Sequence, residues 1–286
     1  MLDVTFYGVR GSTPCSCDTT NNIGGNTSCV LVRGPEGDDP IVLDLGTGLR
    51  YLGNELMAGP DHTTFAGTAL VTHLHWDHVQ GIPFFVPLLR ENANLRLIGP
   101  EQPGSDLKSE ISSFIRPPLF PVDLSILPCE IEFIEMSSGR IDIGSSTVTV
   151  ASIEHVGPTN GYRIDNGDAS VVYIPDHQQP VDGSLDVPAS VVEFCRGADL
   201  LIHDAQYDAD EFASKATWGH STVRYAAEVA KLAGVRRLVL FHHDPSHNDA
   251  WIAQAVRDAQ GWVGAGTEVM AASEGLQLRS GHRLAA

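Results

Sequence analysis

Basic residues are scarce in this chain. Eighteen Lys and Arg stand against 36 Asp and Glu, a formal net charge of −18 over 286 residues. Loose affinity for nucleic acid comes largely from cationic side chains neutralising phosphates, so this balance disfavours a nucleic-acid partner. A small anionic substrate remains compatible, because divalent cations in a site reverse the local field. The acidity is otherwise read as solubility or adaptation to habitat. Long apolar runs are missing too, so no membrane span is expected. The start, Met1-Leu2-Asp3-Val4-Thr5-Phe6, lacks the basic leader of a signal peptide and goes directly into a strand pattern. Cysteines number five, an odd count that forms no disulfide framework. Together these features predict a cytoplasmic, reducing setting. What is present is a core: 42% of residues are apolar, with four Trp and ten Phe.

Periodicity and turn chemistry predict an α+β chain, read as one domain over residues 1–286. Val4–Val9, Ser28–Val32 and Ile41–Asp44 read as strands, with a Gly/Ser/Thr/Asn-rich loop over Gly11–Asn26. A helix is expected over Leu49–Met57, presenting Leu49, Leu52 and Leu56 on one face. Ala69–Thr72 and Leu95–Gly99 are further strands. Gly81–Leu89 reads as core or a buried helix start, and Leu107–Ile115 as a short helix. The prolines of Arg116–Val122 forbid regular helix there. Ile131–Glu135 alternates like a half-buried strand, Ile141–Ser145 and Thr147–Ile153 form a hairpin, and Gly161–Ile164 and Ser170–Ile174 form another around Asp165-Asn166-Gly167-Asp168. The second half predicts helices at Pro188–Cys195, Thr222–Ala233 and Asp249–Gln260, and strands at Leu200–His203, Arg237–Phe241, Glu268–Ala272 and Leu276–Leu278. Strands, then helices, then strands suit two packed sheets with helices outside.

The organising stretch is Thr72-His73-Leu74-His75-Trp76-Asp77-His78, directly after the apolar run Thr68-Ala69-Leu70-Val71. An extended segment points His73 and His75 to one side, suiting one cation. Asp77 and His78 follow where the chain turns, suiting a second. Imidazole and carboxylate without thiolate fit zinc, manganese or iron. Three later residues each follow an apolar β-run: His155 after Val148–Glu154, Asp176 after Val171–Pro175, and His242 after Leu238–Phe241. Strand ends gather at one rim of a sandwich, so these can meet the motif. His243 competes with His242 for the last place. His177 reads as an exposed residue or a partner of the ligands, and His62 and His247 carry no signal.

The pattern His73-x-His75-x-Asp77-His78 resembles the signature of the metallo-β-lactamase superfamily. Gly8-Val9-Arg10-Gly11-Ser12, Gly24-Gly25-Asn26-Thr27-Ser28, Leu43-Asp44-Leu45-Gly46-Thr47-Gly48 and Gly219-His220-Ser221-Thr222 look like its phosphodiesterase branch, which holds ribonuclease Z and small cyclic phosphodiesterases. The resemblance runs from about Thr5 to Leu278. It implies a four-layer αββα sandwich of two mixed β-sheets flanked by helices. It also implies two divalent metal ions, zinc first and Mn2+ or Fe2+ otherwise. His73, His75 and His155 would hold one; Asp77, His78 and His242 the other; Asp176 would bridge. The Asp44–Gly48 loop would lie under the metals and Arg116–Val122 near the cleft.

In such a site a water between the cations is deprotonated near neutral pH and attacks the electrophile, with Asp77 part of the catalytic centre. His220 matches the branch's proton donor or phosphate contact. Asp204 matches an acidic position that orients such a histidine. Cys15 and Cys17 raise a second, structural zinc, but no third Cys stands close by, and they are expected unpaired in a loop. Ribonuclease Z carries a long arm between the equivalents of His155 and Asp176; here only 20 residues lie between them, read as a tight hairpin. A dinuclear-metal hydrolase of a small phosphodiester, a cyclic nucleotide first, is therefore expected. The alternatives are a ribonuclease Z-like endonuclease acting on tRNA 3′ ends, a thioester or lactone hydrolase, and a metal-binding sensor without turnover. Homodimers are common among the lookalikes.

Overall fold

The computed structural model of the chain describes residues 1–58 and 65–281; His62 lies outside them. The first sheet is built from β1 (Leu2–Gly8), β2 (Cys29–Arg33), β3 (Ile41–Leu43), β4 (Phe65–Leu70), β5 (Ala93–Gly99) and β6 (Glu130–Glu135). The second takes β7 (Gly139–Ile143), β8 (Ser146–Ser152), β9 (Asn160–Asn166), β10 (Ala169–Ile174), β11 (Leu200–Asp204), β12 (Arg237–Phe241) and β13 (Glu268–Ala271). The chain then returns, and β14 (Gln277–Ser280) pairs antiparallel with β1. The sheet orders are β14-β1-β2-β3-β4-β5-β6 and β13-β12-β11-β10-β9-β8-β7. Each sheet is mixed. β3 to β6 are mutually parallel, as are β10 to β13, while the remaining neighbours are antiparallel.

The helices are α1 (Leu49–Ala58), α2 (Trp76–Val79), α3 (Leu107–Phe114), α4 (Ala189–Cys195), α5 (Ala209–Lys215), α6 (Val223–Ala233) and α7 (Asp249–Val263). Three apolar clusters define the layers. The central one joins the inner faces of both sheets, from Phe6 and Val30 to Ile164 and Phe241. A second seats α4, α6 and α7 on the outer face of the second sheet. The third seats α1 and α3 on the outer face of the first. This is the expected αββα sandwich. Buried on both faces, the inner parallel strands carry unbroken apolar runs such as Val171–Ile174 rather than alternation. Tyr162 crosses the central layer, its hydroxyl donating to Val71 O at 2.6 Å.

Several boundaries differ from the sequence reading. β1 begins at Leu2 and stops at Gly8, where a Cβ would lie 1.8 Å from Thr27 O. β4 ends at Leu70, before Val71 and Thr72, which bond instead to Ile98 O and Asp44. Gly81–Leu89 forms two 3-10 turns, Ile82–Phe84 and Val86–Leu89, because Pro83 and Pro87 withhold the donors that a continuous helix needs. α7 runs three residues beyond the expected Gln260, to Val263. α6 is capped as expected, by Thr222 accepting from Tyr225 N and by left-handed Gly234.

Candidate metal centre

The His/Asp motif leaves β4 extended and then closes into α2. His73 and His75 come from the extended part; Asp77 and His78 come from the turn of helix. The carboxyl ends of β10, β11 and β12 face it and deliver Asp176, Asp204 and His242. The ligand atoms of His73, His75 and His155 lie within 4.8 Å of one another. Those of Asp77, His78 and His242 form a second such group, and Asp176 joins groups on both sides. Asp176 Oδ1 lies 3.9 Å from His73 Nε2 and 3.8 Å from His155 Nε2. Its Oδ2 lies 3.1 Å from His78 Nε2 and 3.4 Å from His242 Nε2. One carboxylate thus faces both triads, and all seven residues singled out by sequence converge.

Hydrogen bonds behind the rings fix which nitrogen faces inward. His155 Nδ1 donates to Gly219 O at 2.7 Å, and His78 Nδ1 to Asp44 Oδ2 at 2.8 Å. His242 Nδ1 pairs with Gln206 Oε1 at 2.7 Å. Thr72 Oγ1 donates to Asp44, so it accepts from His73 Nδ1 at 3.0 Å. In each ring the tied Nδ1–H leaves the Nε2 lone pair aimed at the centre, the tautomer a cation requires. The donor set passes a stricter test as well. His73 Nε2 and both oxygens of Asp176 are fully buried without a hydrogen bond, an arrangement unfavourable unless a cation accompanies it.

Glycines make the close approaches. A Cβ on Gly11 would sit 2.4 Å from His242 Nδ1, and one on Gly219 would sit 2.4 Å from His155 Nδ1. Three non-glycine residues here hold left-handed backbone: Ser12, Asp44 and His242, with φ of 60°, 57° and 58°. Such conformations collect where function fixes the chain. Ser12 N donates to Asp77 Oδ2 at 2.7 Å, and His242 Nε2 lies 3.0 Å from the same oxygen.

Charge is unevenly held. Burial alone would depress His78, but Asp77, Asp176 and Asp44 outweigh it and push its pKa well up. Burial likewise would raise Asp176, yet His242, His78 and His73 hold it well below the usual carboxylate range. His73 is pushed well down by burial and by His78. His220 Nδ1 lies 3.0 Å from Asp204 Oδ2 and 3.5 Å from Asp176 Oδ1. Burial opposes its charge, but Asp204 and then Asp176 raise its pKa. Asp204 is wholly buried; its Oδ2 also accepts from His177 N and Ser221 N, and its Oδ1 from Gln206 N. It therefore orients His220 from behind.

These contacts bear on three expectations. His243 turns away from the centre, with Nε2 against Ala272 O at 3.0 Å, and burial beside Arg10 brings it down to about 3. His177 is buried rather than exposed: its Nδ1 meets His203 Nε2 at 2.9 Å and its ring packs edge-on against Tyr225 of α6. Cys15 and Cys17 are free, and among the described residues neither joins a metal-type group. Sequence reasoning placed the Asp44–Gly48 loop under the metals without giving Asp44 itself a role, and it did not single out Gln206 or Tyr173. Asp44 carried the strand-end signal that found His155, Asp176 and His242, since it directly follows Ile41–Leu43. Gln206 carried none.

Comparison with known proteins agrees with the geometry. The family described as "Beta-lactamase superfamily domain" matches residues 41–243. A ribonuclease Z of Mycobacterium sp. (strain KMS) is 30% identical over 264 residues, covering 86% of this chain and 85% of that protein. The metallo-β-lactamase fold protein YhfI from Bacillus subtilis superposes with a TM-score of 0.71 at 21% identity, covering 98% of this chain and 99% of that one. Human tRNase Z, short form, gives 0.68 at 22% identity, covering 97% and 98%. Among the described residues no helix is long and apolar enough to cross a membrane. The two-sheet sandwich, the facing His/Asp triads and a family match over most of the sequence lead to one conclusion: the chain belongs to the metallo-β-lactamase superfamily and is a hydrolase of that family.

Proposed function

We propose that the chain is a phosphodiesterase that holds two divalent cations and cleaves a small phosphodiester, a cyclic nucleotide being the first choice. One observation carries this reading: the His220–Asp204 pair stands beside the two triads, where a leaving oxygen needs a proton. His73, His75 and His155 would hold one cation, and Asp77, His78 and His242 the other, with Asp176 between. Imidazole and carboxylate donors suit zinc, with manganese or iron as alternatives. Bound there, the pair supplies an acidified water near neutral pH and balances the charge of the phosphoryl group.

The chain's own residues do the rest. His220 Nδ1–H is anchored on Asp204, so the opposite nitrogen can present a proton to the departing alkoxide. Asp204 favours the charged form of that imidazole and holds it in one orientation. Ser12 N donates to Asp77 and holds it in place, while Asp44, itself held by the Tyr173 hydroxyl, holds His78. Small size of substrate is supported by the β9–β10 hairpin filling the short interval after His155, and by the net charge of −18. Residues 1–286 act as one domain in this reading, which the return of β14 to β1 supports. A cytoplasmic setting is supported by the free cysteines.

The relatives named ribonuclease Z favour a second reading, in which an RNA is the diester cut. The experiment is hydrolysis of bis-p-nitrophenyl phosphate, 3′,5′-cyclic AMP and a 3′-extended tRNA by metal-loaded protein, with His75→Ala and His220→Ala alongside. We expect both small diesters to be cut. His75→Ala should lose metal and activity together. His220→Ala should keep metal and lose cyclic AMP cleavage most. Cleavage of the tRNA alone would transfer the reading to the ribonuclease. Two bound metals with no diester cut would sink both and point to thioesters, lactones or a sensor.

A further inference from the structure

Against α2, the helical turn that carries Asp77 and His78, lies a cavity of about 230 Å³. Its walls are Trp76, Val79, Pro83, Phe84, Leu119 and Phe120. Trp76 stands between His75 and Asp77 in the chain and opens α2, so one wall of the cavity is next in sequence to the exposed His75. The outer wall is the proline-rich 116–122 segment, which packs back through a perpendicular contact of Phe120 on Phe84, ring centres 6.0 Å apart.

The exposures are unusual for such side chains. Trp76 is 66% exposed, Phe84 57% and Leu119 64%. Apolar groups this open, gathered on one concave surface, mark a place where something apolar is bound. Gln80, a polar side chain on the wall, has its amide directed at Thr27 Oγ1 at 3.3 Å. Among the described residues no charged side chain lines the cavity. The wall therefore offers chiefly ring faces and aliphatic edges, with Gln80 as its polar side chain.

We propose that this cavity is a subsite for a planar aromatic ring carried by an ester group of the substrate, a phenyl-like ring or a nucleobase, seated against Trp76 and Leu119 while the phosphoryl group occupies the metal centre. The proposal rests on the phosphodiesterase reading for its substrate, but its recognition chemistry stands apart from turnover. Stacking of one ring on an aromatic platform changes affinity by roughly tenfold or more, and this is the size of preference expected.

The test keeps one leaving group and varies the other ester. Methyl, phenyl and thymidine-5′ p-nitrophenyl phosphates are compared by kcat/KM on metal-loaded protein and on Trp76→Ala and Leu119→Asp. Binding of phenylphosphonate and methylphosphonate is measured by calorimetry on the same proteins, and mass by sedimentation. The wild type should prefer the phenyl or thymidine ester over the methyl ester by roughly tenfold, mainly through KM, and both variants should narrow that ratio. A preference for phenyl over thymidine would identify a simple aryl group, and the reverse a nucleobase. A phenylphosphonate preference that depends on Trp76 and Leu119, without turnover of any diester, would keep the subsite and discard the phosphodiesterase. Equal handling of methyl and aromatic esters and phosphonates would overturn the subsite and leave the phosphodiesterase standing. A dimer dissociated by Leu119→Asp, with discrimination unchanged, would also overturn it and assign the face to a second copy.

Discussion

Replacing Asp204 with Asn separates orientation from charge at the proton donor. Asp204 Oδ2 accepts from His220 Nδ1, His177 N and Ser221 N at 3.0, 3.1 and 3.2 Å, and Oδ1 accepts from Gln206 N at 3.0 Å. An amide can keep its oxygen toward the first three donors, so His220 stays in place. Its nitrogen then faces the Gln206 N–H, two donors meeting in a buried site, which should destabilise the fold by about 1–3 kcal/mol. The larger effect is on charge. Burial drives His220 toward the neutral form, and the Asp204 carboxylate is the largest influence holding the proton on. Without that charge the His220 pKa falls. A general acid works only while protonated, so the falling, high-pH limb of kcat should move to lower pH, while the low-pH limb stays. His220→Ala removes the donor outright and should lose about 10²–10⁴ in kcat on cyclic AMP, whose leaving alkoxide needs a proton. On bis-p-nitrophenyl phosphate, whose phenolate leaves unaided, the loss should be far smaller. The assay is kcat against pH on both substrates, with metal content and urea midpoint measured for each variant. An unmoved limb in Asp204→Asn, or equal losses on both substrates in His220→Ala, would refute the assignment of His220 as acid.

Other perturbations probe the frame around the site. Asp44→Asn removes the charge that accepts from His78 Nδ1 and Tyr173 OH, and should weaken metal affinity about 10–100-fold in a zinc titration while the fold persists. Gly81→Ala would place a Cβ 2.0 Å from Gly46 O, a backbone atom that cannot swing aside, and should lower unfolding free energy by about 1–3 kcal/mol or more in urea. Tyr162→Phe deletes the buried bond to Val71 O that ties the two sheets together behind the motif, and should destabilise by about 1–2 kcal/mol without altering the metal count. A Tyr162→Phe protein as stable as the parent would show that water or a shifted Asn160 amide can serve Val71 O instead.

Much of the architecture was legible because a sandwich needs apolar runs bounded by turns, and those runs survive in composition. The site was legible for a related reason. His155, Asp176 and His242 each stand where an apolar strand stops, and the parallel strands β10 to β12 bring such ends to one rim facing β4. The spacing of the motif is set by an extended segment followed by one turn of helix, so residue order alone predicted which side chains could point together. The choice of His242 over His243 is more physical than positional. The chain enters left-handed backbone at His242, which directs that ring to the centre and sends the next one to Ala272 O. Nothing in composition encodes that reversal. The residues left unread, Asp44 apart, are those whose role depends on another chain segment arriving. Gln206 fixes His242 only because β11 ends beside β12, and Trp76 gains a partner surface only when the 116–122 segment folds back over Phe84. Contacts of this kind are made by tertiary packing, so a pattern confined to one stretch of sequence can name candidate metal ligands and yet stay silent on the groups packed around them.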